Sequence, residues 1–455
     1  AHTVKVCYDA IPSSLTVNNV RDLVALSMIM QTGLTSSKGA YLCGDMKSSP
    51  LTKDITISSR MDIDLSGTGC TGLLRDNGSQ QYSGTFGGNG ATIKLATGEA
   101  YGFQTKDTLA VNADGKSTNP GIGQIYNHPT IGFIPYCNGK VNNLNLSGSI
   151  YFNNVDGGEQ VSCGALAGRT DGTSITNTEV NTSIVYNDGK GGSKLANVYA
   201  GGYIGSTITG GATISFSDCS MQGKISSTSN CEHYAIGGYI AYIKANNTAV
   251  SVTNCELKNT EIEFTRTAKG NAQHAKMGGV IGYIGLSKNT HNVTIAGLTI
   301  DGCKMSSDVD GTTGGFFGYQ WFGTNVDLKD VTVKGSTLDT KGIFGGLVYQ
   351  TSGYWKIGDG PAAGITFQDS NTLNGKTSLK GKTSEDSPSA LLIADTSGVT
   401  QSSGTSGDAD NGNAKTYLEI LKDGLKIDLR SVEVTLEGGD FFDDIAGKTK
   451  YGDNI

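Results

Sequence analysis

Residues 201–241 read GGYIGSTITGGATISFSDCSMQGKISSTSNCEHYAIGGYIA, a stretch that opens and closes on the same phrase. The phrase recurs along the chain as IGFIPY (131–136), GALAG (164–168), GGVIG (278–282), GGFFG (314–318) and GGLVY (345–349), with a looser copy, SALLIA, at 389–394. Aligned on the second small residue, the copies sit at Gly132, Ala165, Gly202, Gly238, Gly279, Gly315 and Gly346, at intervals of 33, 37, 36, 41, 36 and 31 residues. A period of this size marks a repeat architecture. After each phrase come apolar alternations broken by Gly, Asn, Asp and Ser, as in ATISFSDCSMQGKI (212–225) and AVSVTNCELKNTEIEF (249–264). Each unit therefore reads as three short strands joined by turns. Such a unit cannot bury its apolar face alone, but stacked on copies of itself it can. The expectation is an all-β, parallel β-helix, with the uneven intervals protruding as irregular loops.

The repeat glycines are Gly132, Gly164, Gly201, Gly202, Gly237, Gly238, Gly278, Gly279, Gly314, Gly315, Gly345 and Gly346. They are expected to supply positive φ at tight corners and to let coils approach closely. Cys219 and Cys255 hold matching places after SFSD and SVTN and are expected to stack in one buried column. The nine cysteines show no CxxC pair for zinc, and buried thiols are preferred, with one or two disulfides as the alternative.

Upstream, TVNNVRDLVALSMIMQT (16–32) carries a helical apolar stripe that Gly33 can stop, and suits a cap on the open solenoid end. KDITISSRMDIDLSG (53–67) and YSGTFGGNGATIKL (82–95) read as earlier coils, with FGGNG as a turn. The Ser/Thr/Gly-rich tail from about 371 reads as long loops. The resulting division is 1–34 for an N-terminal strand and capping helix, 35–394 for the β-helix, 395–415 for a Ser/Gly-rich loop or linker, and 416–455 for C-terminal strands that close the solenoid.

Composition agrees. Gly is 66 of 455 residues, Pro only 7, and charged residues are 17%. That excludes collagen and long coiled coils, and the apolar clusters spread along the chain argue against general disorder. Net charge is −7 with six arginines and no basic run, which argues against a nucleic-acid partner. No apolar stretch reaches the roughly 18 residues that cross a bilayer. A first residue Ala1 fits either a signal peptide already removed or a trimmed chain, and the expectation is a secreted or cell-surface protein.

With the helix VRDLVAL, then KDITIS…DIDLSG, then YSGTFGGNGATIKL, then TIGFIPYCNGKVNNLNLSG (130–148) and the GG phrases, the order of motifs over residues 16–395 resembles the GLUG-type repeat proteins of bacterial surfaces. The resemblance implies a right-handed β-helix on a large exported protein. Pro135, Ala165, Ala241 and Tyr349 depart from the pattern. Some such proteins carry a zinc peptidase, but the five histidines here form no His-Glu-x-x-His.

Candidate chemistry is sparse. Acidic pairs at Asp156/Glu159, Asp308/Asp310 and Asp443/Asp444 are weighed as glycosidase or lyase carboxyls and read as turn residues. Asp408, Asp410 and Glu419 approach a calcium-loop spacing, with the Gly and one ligand misplaced. Trp321 and Trp355 offer aromatic faces for stacking on a sugar. The apolar segment 2–11, with Val4, Val6 and Tyr8, is expected to pair as a strand, either within its own chain, which is preferred, or with a neighbouring subunit. No catalytic set and no cofactor site is assigned. The expected function is a non-catalytic, rigid structural or adhesive element that partners itself head-to-tail or surface glycans and proteins. A carbohydrate-active enzyme on the same scaffold is the alternative.

Overall fold

The computed structural model describes residues 14–32, 52–68, 70, 72–74, 81–95, 130–152, 160–187, 197–207, 210–229, 233–244, 247–266, 274–285, 291–308, 312–320, 324–344, 346 and 348–350. Beyond these it describes strands at 365–368, 371–374, 377–382, 393–395, 425–427 and 432–437. These residues wind into a parallel β-solenoid of about six turns.

One coil comprises Asn197–Gly201, Ile204–Thr207, Thr213–Ser217 and Ser220–Ser229. The next comprises His233–Gly237, Ile240–Ile243, Ala249–Lys258 and Glu261–Arg266. Each strand pairs in parallel with its counterpart: Ala200 with Ile236, Ile204 with Ile240, Phe216 with Val252, Ile225 with Ile262. The coil thus has four strands, not the three read from sequence. The repeat phrase is itself a corner, with a short strand on either side of it. Equivalent first strands build a 5-stranded sheet, second strands a 7-stranded one, and the longer third and fourth strands merge into a 21-stranded sheet.

The merger has a local cause. At the matching place in these coils the chain bends through a single residue of positive φ: Asn177 at 45°, Asp218 at 54° and Asp330 at 51° between two strands, and Asn143 at 51°, Asn254 at 51° and Gly297 at 70° inside one continuous strand. Asn and Asp tolerate this conformation better than other side chains. One left-handed residue resets the strand's alternation, so Val250, Val252, Cys255 and Leu257 all enter the core while Thr253 and Asn254 face solvent. The same device explains FGGNG. It is a bend within the single strand Thr85–Leu95, where Asn89 and Gly90 have positive φ, rather than a turn between strands.

Of the two roles expected of the paired glycines, close approach of the coils is observed and positive φ is not. Gly201, Gly202, Gly237, Gly238, Gly278 and Gly279 are not among the positive-φ residues. What they supply is closeness: a Cβ on Gly202 would lie 2.0 Å from the Gly238 carbonyl oxygen, and one on Gly238 2.0 Å from that of Gly279. Among the phrase glycines Gly318 does take positive φ, at 130°. Two alignments shift by one. Ile131 pairs with Cys163, which sets Gly132 opposite Gly164 rather than Ala165, and Tyr349 pairs with Tyr319, so that Val348 stands where the last glycine was expected. Gly345 lies outside the described residues.

At the N-terminal end, Thr16 and Val17 belong to the strand Ser14–Val17, which pairs with Asp54–Ile57, and the helix runs Val20–Thr32. Asn19 Oδ1 caps it by accepting the amides of Arg21 and Asp22 at 2.9 and 3.1 Å. Leu23, Leu26 and Met30 turn inward to join the core, so the helix covers the first coil. Within the tail expected to be loops, Asn371–Asn374, Thr377–Lys382 and Ile393–Asp395 are strands of the solenoid. Leu425–Ile427 and Val432–Glu437 pair in parallel with the first two of these.

Candidate functional site

The corner that carries the repeat phrase concentrates the unusual side chains. Tyr203 and Tyr239 follow the paired glycines, are wholly buried, and stack with ring centroids 5.0 Å apart. Their hydroxyls cross the coil to the opposite turn. The Tyr203 hydroxyl lies 2.6 Å from the carbonyls of Thr178 and Ser220, and that of Tyr239 2.9 and 3.1 Å from those of Cys219 and Glu256. These rings are therefore structural, filling the core while satisfying corner carbonyls.

The short strands either side of the corner are buried on both faces, as Ile204–Thr207 and Ile281–Ile284 show along their whole length. Tyr136, Arg169, Ser206, Tyr242, Tyr283, Tyr319 and Tyr349 follow one another in register in the second sheet. In the first sheet Ser162, Tyr199, Ala235 and Lys276 do the same. The two columns meet along a seam. Ser162 and Ser206 hydroxyls lie 2.8 Å apart, the Tyr199 and Tyr242 rings 4.5 Å, and the Tyr242 and Tyr283 rings stack at 4.9 Å within 3° of parallel. Lys276 Nζ sits 3.5 Å over the Tyr283 ring. At the other end Arg169 lies over Tyr136, whose hydroxyl donates to the Asp171 carboxylate.

Burial governs the electrostatics of this seam. Lys276 is 5% exposed, and loss of hydration lowers its pKa from 10.5 to about 7. Burial raises the Tyr242 hydroxyl to about 12. Neither residue was singled out by sequence, although a tyrosine four residues after the second glycine, at 242, 283 and 319, was visible in the repeat.

Cys219 and Cys255 stand side by side on adjacent coils, since Ser220 pairs with Glu256, and both are buried as expected. Each thiol donates to the carbonyl two residues before it, Cys219 to Ser217 and Cys255 to Thr253, both at 3.2 Å, and the neighbouring Cys255 together with burial pushes the Cys219 thiol up. Burial likewise raises Cys70, Cys137, Cys163 and Cys303, all free thiols. Such thiols are poor nucleophiles. Asp64 is held at about 2 by hydrogen bonds from Lys94 and Ser66, opposite to what a general acid needs.

Of the acidic candidates, Asp308 ends the strand Lys304–Ser307, where its amide donates to the Phe264 carbonyl. Asp156, Glu159, Asp310, Asp408, Asp410, Glu419, Asp443 and Asp444 lie outside the described residues. So do Trp321, Trp355, Val4, Val6 and Tyr8. Among the described residues no three His, Cys, Asp or Glu side chains gather as a metal site, and no helix is long and apolar enough to cross a membrane.

No protein-family model matches the chain, and no curated protein matches it by sequence. Among solved structures it is similar to a Bacteroides ovatus protein described as a "putative immunoglobulin A1 protease". The TM-score is 0.45 at 13% identity, over 77% of this chain and 83% of that one. An overlap that loose carries no argument about activity. The assignment of a parallel solenoid rests on the strand pairing in this chain.

Proposed function

We propose that this protein is a non-catalytic, exported surface element, similar to the GLUG-type repeat proteins, that serves as a rigid spacer or adhesive rod and associates head-to-tail. The observation that carries the reading is how the long face uses its charges. Lys94–Asp64 at 2.8 Å, Lys224–Glu263 at 2.8 Å, Lys334–Asp301 at 3.2 Å and Lys380–Asp339 at 3.1 Å each join one coil to the next. Exposed pairs are individually weak, about 0–1 kcal/mol. In a ladder they favour one register, and with the asparagine corners and stacked tyrosines they make every coil a template for its neighbour. Such repetition suits stiffness along the axis.

In this reading segment 2–11, with Val4, Val6 and Tyr8, would make the contact with a second copy, and Trp321 with Trp355 would stack on glycans. Negative-stain electron microscopy across a concentration series tests the assembly. Filaments that disappear on deletion of residues 1–11 support it, and short single rods at all concentrations count against it. A polysaccharide screen tests the non-catalytic part: cleavage of any polymer by the pure protein would overturn it in favour of a carbohydrate-active enzyme. Unchanged glycan binding in a Trp321→Ala/Trp355→Ala double variant would remove the stacking role.

A further inference from the structure

His291 opens the strand His291–Asp301 and is wholly buried, on the same side as Val293 and Ile295. Its Nδ1 accepts the backbone amide of Thr248, in the preceding coil, at 3.3 Å. The Thr248 carbonyl in turn accepts the Asn292 amide at 3.1 Å, so both backbone groups of Thr248 are held by the first two residues of this strand. An imidazole nitrogen that accepts a hydrogen bond carries no proton, which places the proton of the neutral ring on Nε2. Nε2 is buried without a hydrogen-bond partner.

We propose that His291 is an acid-sensitive latch between two coils, closed while its ring is neutral and opened when the ring takes a second proton. That proton can go only to Nδ1. There it meets the Thr248 N–H, donor against donor, and leaves a cation in the core. The charged groups on the flanking strands do not relieve it. Asp327 pairs with Thr294 on the solvent side, Lys329 with Ala296, Glu256 with Thr299, and Lys258 with Asp301. The nearest of these is three residues along the strand from His291 and on the opposite face. Lys244, in the preceding coil, is exposed. Burial accordingly lowers the imidazole below its ordinary 6.5. The unfolded or opened chain then binds more protons than the closed one, and acid favours opening.

Hydrogen exchange of the amides from 248 to 253 and from 292 to 296, expressed as protection factors at pH 7.5 and 5.0, tests this. Protection in the wild type is expected to fall by up to about tenfold for each pH unit below 6.5. In His291→Asn, whose side-chain carbonyl still accepts the Thr248 amide but cannot be protonated, protection is expected to be the same at both values. Equal acid sensitivity in both proteins, or none in the wild type, overturns the proposal. Should the variant not fold, a titration of the His291 imidazole by NMR in the wild type decides: a native pKa at or above 6.5 refutes the latch, and one below it supports it.

Discussion

Lys276 offers an electrostatic effect on which to test the structure within a workable pH range. Its pKa falls from 10.5 to about 7, a difference equivalent to roughly 5 kcal/mol of penalty on the folded charged form. The Tyr283 face, 3.5 Å from Nζ, offsets about 1–2 kcal/mol of this through a cation–π contact. Lys276→Met keeps the length of the side chain and removes the charge. At pH 6–7 the variant is expected to be about 3 kcal/mol more stable than the wild type. Because the folded pKa lies below the unfolded one, the unfolded chain binds the extra proton between the folded value and 10.5. Wild-type stability therefore rises with pH through that window by up to about 1.4 kcal/mol per unit, and the advantage of the variant shrinks accordingly. Urea unfolding of both proteins at pH 6.5, 8 and 9.5 measures the difference directly, and the titration of other groups cancels between them. A difference that stays constant with pH, or a variant less stable at pH 6.5, would refute the desolvation argument.

The remaining predictions concern packing. Gly238→Ala puts a Cβ 2.0 Å from the Gly279 carbonyl and is expected to cost 3 kcal/mol or more, whereas Gly87→Ala, with ordinary contacts at 3.6 Å, should change the urea midpoint little (about 0.5 kcal/mol at most). Tyr239→Phe leaves the corner carbonyls of Cys219 and Glu256 short of a donor and is expected to cost about 1–2 kcal/mol in the same assay. Iodoacetamide followed by peptide mass mapping should find Cys137, Cys163, Cys219 and Cys255 unlabelled in the native protein and labelled in guanidinium, and native labelling of Cys219 would contradict the buried column.

Several of the sequence expectations fail for one shared reason. Periodicity locates apolar residues but does not say how one segment meets another. The close approach expected at GGYIG is present, but the positive φ expected of its paired glycines sits instead on the Asn, Asp and Gly corners, which apolar periodicity does not mark. The one-residue shifts at Gly132 and Tyr349 are similar: the phrase has equivalent-looking small residues in a row, and only hydrogen-bond register distinguishes them.

What the sequence determined by itself is the repeat and its consequence. A recurring phrase every 31–41 residues, short β-rich segments between, and one N-terminal amphipathic helix suffice for a capped parallel solenoid, because no single unit can bury its own apolar face. The cysteine column followed from the same spacing. The tertiary structure alone decided the chemistry of individual groups. Lys276 and His291 look like ordinary polar residues in HAKMG and HNVTI. Their altered proton affinities arise because a both-faces-buried strand and an inter-coil hydrogen bond remove the water that would otherwise solvate their charge.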